Sequence, residues 1–283
     1  MASATQESDV PPEAALANRH GSRKWLWLTI ALACALCAAA AYDAVKIEPF
    51  RIEVTHYDVA AAVSSPLKIA QVSDLHTHGI GGNERRLFQI LEDEKPDVIV
   101  VTGDCLGNLE GNYGWCHQVF EQLHAPLGVW FVRGNWEHDR PVHHERAFYR
   151  SSGVGLLNNA NVQLRPDIWL IGLDDLSSGT PRPDLAFAGV PPSAYKVALF
   201  HSPAYFKRIA GRVNLCLSGH THGGQVRIPF VKPFWLPKGA SPYLEGWYAL
   251  NGSEMYVNRG LGMSNLQVRF LCRPEISFFT LHP

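Results

Sequence analysis

Short polar motifs that each follow an apolar run constrain this sequence more than any other feature. Each apolar run is short enough to be a buried central strand, and polar side chains that follow such strands collect in a crevice at one edge of an α/β sheet. The motifs therefore predict that loops from five separate strands converge on one point. In chain order they are Asp74-Leu75-His76, Gly103-Asp104, Gly134-Asn135, the single His201, and Gly219-His220-Thr221-His222.

The side chains of these motifs offer oxygen and imidazole ligands, and the only thiol nearby is Cys105. Such ligands suit hard to borderline divalent metals, here Mn, Fe, Zn, Co or Ni. Two such ions about 3.5 to 4 Å apart can clamp the attacking and leaving oxygens of a displacement at phosphorus. Asp104 is the natural carboxylate between them, and a bridging water would lose a proton to become the nucleophile. The candidate ligands are Asp74, His76, Asp104, Asn135, His201, His220 and His222.

The order of predicted elements favours an α/β fold. Strands and helices alternate in the first part of the chain, and strands dominate later. A first strand or strand pair is predicted over residues 47–58, a helix over 84–94, and a further helix over 138–149. This pattern predicts a four-layer α/β/β/α sandwich of two mixed sheets with helices outside.

Composition limits the number of domains and the kind of partner. The chain has 283 residues and a formal net charge of −1. After the N-terminal region this length suits one large domain over residues 46–283, and the balanced charge excludes a general nucleic-acid-binding surface. The six cysteines lack zinc-finger spacing and do not form a disulfide framework.

The N-terminal region predicts a membrane anchor. Residues 1–24 are polar and predicted to be a disordered cytoplasmic tail, whereas residues 25–42 are uncharged and just long enough to cross a bilayer. Basic residues before the apolar run place the N-terminus inside and the following domain outside the cytoplasm. Two alternatives stay open. One is a signal peptide cleaved at Ala39-Ala40-Ala41, and the other is a buried helix of the soluble domain.

Taken together in this order, the motifs resemble those of the calcineurin-like metallophosphoesterases. The family pattern runs Asp-x-His, Gly-Asp, Gly-Asn-His-Asp/Glu, a lone His and Gly-His-x-His, and the resemblance covers roughly residues 66–282. Residues 219–225 and 257–262 look especially like the bacterial branch that carries an N-terminal membrane segment. The resemblance therefore implies a single-pass protein of a bacterial cytoplasmic membrane.

The resemblance also implies roles for the candidate ligands. Asp104 would bridge two divalent metal ions. The first ion would be held by Asp74, His76 and His222. The second would be held by Asn135, His201 and His220.

One position departs from the family pattern. The family has a histidine after Gly-Asn that acts on the leaving oxygen, and here Trp136 follows Asn135. Indole cannot exchange a proton usefully at neutral pH, so we expect another histidine to act as the catalytic acid or the metals to act alone. The local candidates are His138, which we prefer, His78 and the pair His143 and His144. A leaving group of low pKa, such as that of a diphosphate or aryl ester, tolerates this loss best. Arg133 and Arg259 are candidate phosphate-binding residues, because Arg pairs with phosphate in a bidentate way.

The sequence thus predicts a membrane-tethered hydrolase of phosphodiester or pyrophosphate bonds. Its expected substrate is a phosphorylated small molecule or a lipid-linked molecule such as UDP-2,3-diacylglucosamine, which relatives in the family cleave. That substrate is cytoplasmic, so an external domain would favour phospholipid head groups, cell-envelope phosphates or nucleotides instead. The alternative is a non-catalytic metal-binding scaffold of the same fold, and a metal-dependent amide hydrolase is a weaker third option.

Overall fold

The computed structural model describes residues 12–107 and 112–283 of the chain. The chain divides into two compact units, and the boundary lies between Asp43 and Ala44. The first unit is helical, and the second contains all of the strands in the described residues.

The N-terminal unit contains one long helix, α1, over Pro12–Tyr42. Residues 12–24 are therefore helical, which corrects the prediction of a disordered tail for this part, while residues 1–11 lie outside the described residues. Ala and Leu favour a helix in this stretch, and proline is tolerated in a first helical turn. Within the described residues, Arg23–Phe50 is the one helical stretch that has the length and apolar composition needed to span a bilayer. In its apolar window 6% is buried.

The second unit is built from strands and short helices. A π-helical turn over Asp43–Ile47 and a 3₁₀ turn over Glu48–Phe50 lead into it. Its strands are β1 Glu53–Ala60, β2 Leu67–Val72, β3 Val98–Thr102, β4 Val129–Val132, β5 Val154–Leu156, β6 Ala160–Arg165, β7 Ile168–Gly172, β8 Tyr195–Leu199, β9 Leu215–Ser218, β10 Gly246–Leu250, β11 Ser253–Val257 and β12 Glu275–His282. Its α-helices are α2 Gly82–Glu94, α3 Tyr113–Phe120, α4 Asn135–Asp139, α5 Glu145–Ser151, α6 Pro183–Ala186 and α7 Phe206–Ile209.

The strands form two mixed six-stranded sheets. The first sheet has the order β1-β12-β2-β3-β4-β5, in which only the pairing of β12 with β2 is antiparallel. The second has the order β10-β11-β9-β8-β7-β6, with parallel pairing from β11 to β7 and an antiparallel strand at each edge. The two mixed sheets predicted from the sequence are confirmed.

Three apolar clusters separate the layers. One lies between the two sheets, one between the first sheet and helices α2, α3 and α5, and one between the second sheet and helices α6 and α7. Strand β3 shows why its sequence is continuously apolar. Val98 and Val100 face the second sheet, whereas Ile99 and Val101 face the helices, so both faces of the strand are buried. The result is the four-layer sandwich that the sequence predicts.

Two predicted elements have different bounds in the structure. The strand expected over residues 47–58 begins only at Glu53, because the side chain of Glu48 accepts hydrogen bonds from the backbone N–H groups of Leu271 and Cys272 and holds its own segment in a tight turn. The helix expected over residues 138–149 is two helices, α4 and α5. Pro141 lies in the gap between them, where it lacks the N–H that a continuous helix would need.

Candidate metal centre

Every candidate ligand lies just after the carboxyl end of a strand. Strands from both sheets contribute, so the centre lies at one edge of the whole sandwich. Asp74 and His76 follow β2, Asp104 follows β3, Asn135 follows β4, His201 follows β8, and His220 and His222 follow β9.

The first set of converging side chains, called here the Asp74 group, consists of Asp74, His76 and His222. One ligand atom from each lies within 4.8 Å of the others, and all three residues are buried. The Nε2 atoms of His76 and His222 are 3.1 Å apart, and an Asp74 carboxylate oxygen lies 3.5 Å from Nε2 of His222.

The second set, called here the Asp104 group, consists of Asp104, His201 and His220. One ligand atom from each again lies within 4.8 Å of the others. Nε2 of His201 lies 3.1 Å from Oδ2 of Asp104 and 2.9 Å from Nδ1 of His220. The Asn135 side-chain oxygen is 3.3 Å from the same His201 nitrogen. The structure thus brings all the predicted ligands together.

The imidazole tautomers explain why these nitrogens face each other. His76 and His201 donate Nδ1–H to the carbonyl oxygens of Leu106 and Thr102, and His220 donates Nε2–H to the carbonyl of Lys238. In the neutral ring the remaining nitrogen carries a lone pair and points inward. Hydrogen bonds of this kind to the outer nitrogen orient metal-binding histidines, and two inward nitrogens about 3 Å apart must share either a proton or a metal ion. The donor set fits divalent metal ions.

The backbone at the centre is held in a rarely populated conformation. Five of the candidate ligands have positive φ angles, a region that side-chain-bearing residues seldom adopt and that clusters at functional sites. They are Asp74 (φ 48°), His76 (φ 40°), Asp104 (φ 52°), His220 (φ 74°) and His222 (φ 51°).

Two glycines allow the loops to approach closely. A Cβ on Gly134 would lie 2.1 Å from an Asp104 carboxylate oxygen, and one on Gly219 would lie 1.9 Å from Oγ of Ser73. Both distances are far below van der Waals contact, so any larger residue would push a ligand loop away. This explains why a glycine precedes Asn135 and His220 in the motifs.

Glu137 is a buried carboxylate at the Asp/Glu position of the Gly-Asn-His-Asp/Glu pattern, and the sequence analysis assigned it no role. Its two oxygens accept hydrogen bonds from the backbone N–H groups of Asp104, Cys105, Leu106 and Gly134 at 2.8–3.1 Å. It therefore ties the loop after β3 to the loop after β4. Burial and the nearby Asp104 carboxylate raise the pKa of Glu137 to about 7, against the opposing effect of the N–H donors. The signal available in the sequence was the Asp/Glu position of the family pattern, three residues after Gly134 and at the start of α4.

Ionisation in the Asp104 group is set by its neighbours. Burial alone would raise the pKa of Asp104, but the adjacent His201 holds it well below its usual range. Burial alone would lower the pKa of His201, and Asp104 raises it well above normal. Burial lowers the pKa of His220 and of His222, so both favour the neutral form that metal binding requires.

The other predicted site residues lie outside this convergence. Nε2 of His138 is 2.6 Å from Asp174, and Arg133 binds the same Asp174 oxygen at 3.0 Å as well as Glu145. Burial alone would raise the pKa of Asp174, but the hydrogen bonds from His138 and the Thr180 N–H, together with the charges of His138 and Arg133, lower it to about 2. The proton-donating role of His138 and the phosphate-binding role of Arg133 stay predictions.

Arg259 likewise has carboxylate partners. Its guanidinium lies 3.0 Å from an oxygen of Glu275 and 3.0 Å from an oxygen of Glu53. Its proposed contact with phosphate also stays a prediction.

A cavity of about 380 Å³ opens over the converging ligands. Asp104, Asn135, His220 and His222 line its floor. The wall residues, most of which the sequence motifs did not indicate, are Trp136, Asp139, Arg140, Ser177, Trp235, Pro237, Lys238, Ser264 and Asn265. Two of these, Arg140 and Lys238, are cationic and are therefore further candidates for contact with an anionic substrate.

Trp136 fills the position where a histidine was expected. Its ring packs edge-on against His76 with centroids 5.1 Å apart, and the Arg140 guanidinium lies 5.0 Å from its ring centre. Its backbone N–H donates to Asp104 at 2.9 Å. The indole is thus part of the cavity wall and offers stacking where the family pattern would offer a proton donor.

Comparison with known proteins places this fold and site in a family. The sequence profile of the calcineurin-like phosphoesterases matches residues 67–224. The chain is 34% identical over 267 residues to the uncharacterized metallophosphoesterase YkuE of Bacillus subtilis (strain 168), a match covering 87% of this chain and 92% of the relative. It is 32% identical over 199 residues to phosphodiesterase YaeI of Escherichia coli (strain K12), covering 67% and 72%.

A more distant relative is the bovine transmembrane protein with metallophosphoesterase domain. It is 29% identical over 249 residues, which cover 80% of this chain and 55% of that protein. The fold and the buried ligand groups define a metal-dependent phosphoesterase. The chain belongs to the calcineurin-like phosphoesterase family, as its motifs indicate.

Proposed function

We propose that this protein hydrolyses phosphodiester or pyrophosphate bonds with the help of two divalent metal ions. The observation that carries the proposal is the position of Asp104 between the two ligand groups. Its Oδ2 atom lies 3.1 Å from Nε2 of His201 and 3.8 Å from Nε2 of His76, so one carboxylate is within reach of both groups. Asp74, His76 and His222 would hold one ion, Asn135, His201 and His220 the other, and Asp104 both.

The reaction adds water across one bond to phosphorus. The water oxygen forms a new P–O bond, the bond to the leaving oxygen breaks, and the two protons of water are shared between the phosphate product and the leaving group or solvent. When bound, the ions would polarise phosphoryl oxygens and lower the pKa of water. Arg140 and Lys238 attract the anionic substrate, and Trp136 excludes water from one side of the cavity. His138 is the proposed proton donor, and Arg133 and Arg259 are proposed phosphate contacts.

The protein is proposed to act from a bacterial membrane. The stretch Arg23–Phe50 supplies a candidate single span, and basic residues precede its uncharged part over residues 25–42. This asymmetry favours a catalytic domain on the outer side of the cytoplasmic membrane. Fusions of the C-terminus to reporters that are active on only one side test the orientation, and a cytoplasmic signal would instead favour UDP-2,3-diacylglucosamine as the lipid-linked substrate.

Asp104→Asn tests the mechanism. The substitution keeps the size of the side chain but removes the charge that offsets two cations, so we expect at least a 1,000-fold loss of kcat on bis(p-nitrophenyl) phosphate, on the order of what removal of one key electrostatic contact costs. Asp139→Asn is the matched control, because Asp139 lines the same cavity but belongs to neither ligand group. Retention of activity in Asp104→Asn would argue against the two-metal mechanism.

Metal analysis of the same proteins separates an enzyme from a scaffold. Two equivalents of Mn, Fe, Zn, Co or Ni in the wild-type protein, together with turnover, support the hydrolase. Bound metal without hydrolysis of mono-, di- or pyrophosphate compounds would support the non-catalytic scaffold, for which Trp136 is the one feature in favour. Reconstitution with each ion in turn tests whether manganese gives the highest activity.

A further inference from the structure

A second cavity adjoins the one over the metal ligands and differs from it in chemistry. It has a volume of about 420 Å³, and its apolar lining comes mainly from Val226, Phe234, Trp235 and Leu266. In the following it is called the apolar groove. Phe234 and Leu266 are 78% and 57% exposed, so their hydrocarbon surfaces face solvent in the absence of an occupant.

The apolar groove and the cavity over the metal ligands share a wall. His222, Trp235, Ser264 and Asn265 line both. His222 is itself a candidate metal ligand, so a molecule in the groove would touch the centre directly. An occupant that runs along the groove can therefore be covalently attached to a phosphate that lies over the ligand groups.

Two of the polar side chains that line the groove, those of Thr221 and Gln225, are already engaged within the protein. The Thr221 hydroxyl donates to the Leu244 carbonyl and accepts from the N–H of Gly223. The Gln225 amide donates to the Leu266 carbonyl and accepts from the N–H of Ser264. A peptide or sugar would need hydrogen-bonding partners here, whereas a hydrocarbon chain needs none.

We propose that the apolar groove binds an aliphatic chain of the substrate, so that the preferred substrate is a phosphodiester carrying an alkyl or acyl chain. This inference rests on the proposed phosphodiesterase function and names its substrate class. The phosphate lies over the metal ligands, and the chain passes Trp235 and His222 into the groove between Phe234, Leu266 and Val226. Burial of the chain removes apolar surface of both partners from water.

A series of p-nitrophenyl n-alkyl phosphates, from methyl to octyl and below their micelle concentrations, tests the inference on the full-length protein in lipid nanodiscs. Each methylene that leaves water is expected to raise kcat/KM about threefold to fourfold until the groove is filled. A plateau at a defined chain length is expected, because the groove has a fixed volume. Equal kcat/KM for methyl and octyl esters would overturn the inference while leaving the hydrolase proposal intact.

Phe234→Ala and Leu266→Asn should remove most of the chain-length dependence and leave hydrolysis of the methyl ester unchanged. Their matched controls are Phe230→Ala and Leu271→Asn, because both control residues are exposed and apolar but do not line the groove. Partition of long esters into the nanodisc is the same for all variants and cancels in the comparison. An equal loss in Phe230→Ala would indicate contact of the whole loop with a membrane surface and would contradict the groove assignment.

Binding measurements test the groove without turnover. Calorimetric titration with n-octylphosphonate is expected to give tighter binding and a more negative heat-capacity change than methylphosphonate, and Phe234→Ala should remove the difference. Chain-dependent binding without hydrolysis of any ester would refute the proposed function but keep the groove. Hydrolysis with chain-independent binding would refute the groove alone.

Discussion

The Asp74 group and the Asp104 group use the same kinds of ligand, yet different parts of the chain hold them in place. The Asp104 group is held by Glu137, which lies on the helix that begins at Asn135 and binds the loop that carries Asp104. The second nitrogens of His201 and His220 are also anchored on backbone carbonyls. These contacts fix the positions of the ligand atoms in this group.

The Asp74 group depends on a distant segment near the C-terminus. The N–H groups of Leu261 and Gly262 donate to the carbonyls of Ser73 and Asp74, so the loop after β11 lies directly on the ligand-bearing loop. The fully buried Arg269 shapes that loop by donating to the carbonyls of Arg259, Gly260 and Gly262.

His222 is held by fewer contacts than the other histidines of the two groups. Within the described residues its buried Nδ1 atom has no hydrogen-bond partner, in contrast to the second nitrogens of the other three candidate histidines. His222 also lines both the metal-centre cavity and the apolar groove. The comparison suggests that the Asp104 group binds its ion more tightly and that the Asp74 group adapts to the substrate.

Glu137→Gln should disturb the Asp104 group and have the largest effect on metal affinity. The amide keeps one acceptor oxygen but turns an NH₂ group toward backbone N–H donors, which leaves buried donors unsatisfied at about 1–3 kcal/mol each. Loss of a contact that positions a metal ligand typically costs up to about 100-fold in metal affinity. We expect that loss at the site of the Asp104 group and not at the other site. Calorimetric metal titration of the metal-depleted chain measures it.

Glu94→Gln is the control for this substitution, since Glu94 pairs with His56 of β1 and Lys68 of β2, neither of which belongs to a ligand loop. His201→Ala identifies which of the two binding steps belongs to the Asp104 group, because His201 is a member of that group alone. Unchanged affinities in Glu137→Gln would mean that the loop after β3 keeps its shape without the buried carboxylate.

Arg269→Lys should lower the metal affinity of the Asp74 group by a smaller amount. Arginine reaches several carbonyls with one planar group, and the single ammonium of lysine cannot replace those contacts together. We expect about a tenfold loss of metal affinity, confined to the binding step that His201→Ala leaves in place. Arg227→Lys, which alters a half-exposed ion pair with Glu245, is the matched control. A loss of affinity at the binding step of the Asp104 group would show that the two groups are not held in place by separate contacts.

The residues that support the Asp104 group and those that support the Asp74 group also differ in how well the sequence predicts them. The ligands themselves were predictable, because each follows a short apolar strand and each is a residue type that binds metal. Glu137 was accessible through the Asp/Glu position of the family pattern, three residues after Gly134. The sandwich followed from the order of strands and helices in the same way.

Arg269 was not accessible from the sequence, because nothing local distinguishes it among 25 lysines and arginines. Its role comes from a loop that folds back onto β2 from almost two hundred residues away in the chain. The start of β1 was missed for the same reason, since the turn at Glu48 is held by Leu271 and Cys272. Long-range contacts of this kind override the local alternation that predicts a strand.

His138→Gln should have the smallest effect and should sharpen the role of helix α4, which carries both Asn135 and Glu137. With an aryl leaving group we expect less than about a threefold loss of kcat, because a leaving oxygen of low pKa needs little help from a general acid. If His138 leaves Asp174 to protonate the leaving oxygen, the variant will lose far more kcat on a dialkyl phosphate than on the aryl diester. The basic limb of the pH–rate profile for the dialkyl phosphate will also disappear. Equal small losses on both substrates, with slightly weaker metal binding at the Asp104 group, would instead assign His138 to holding α4 through Asp174.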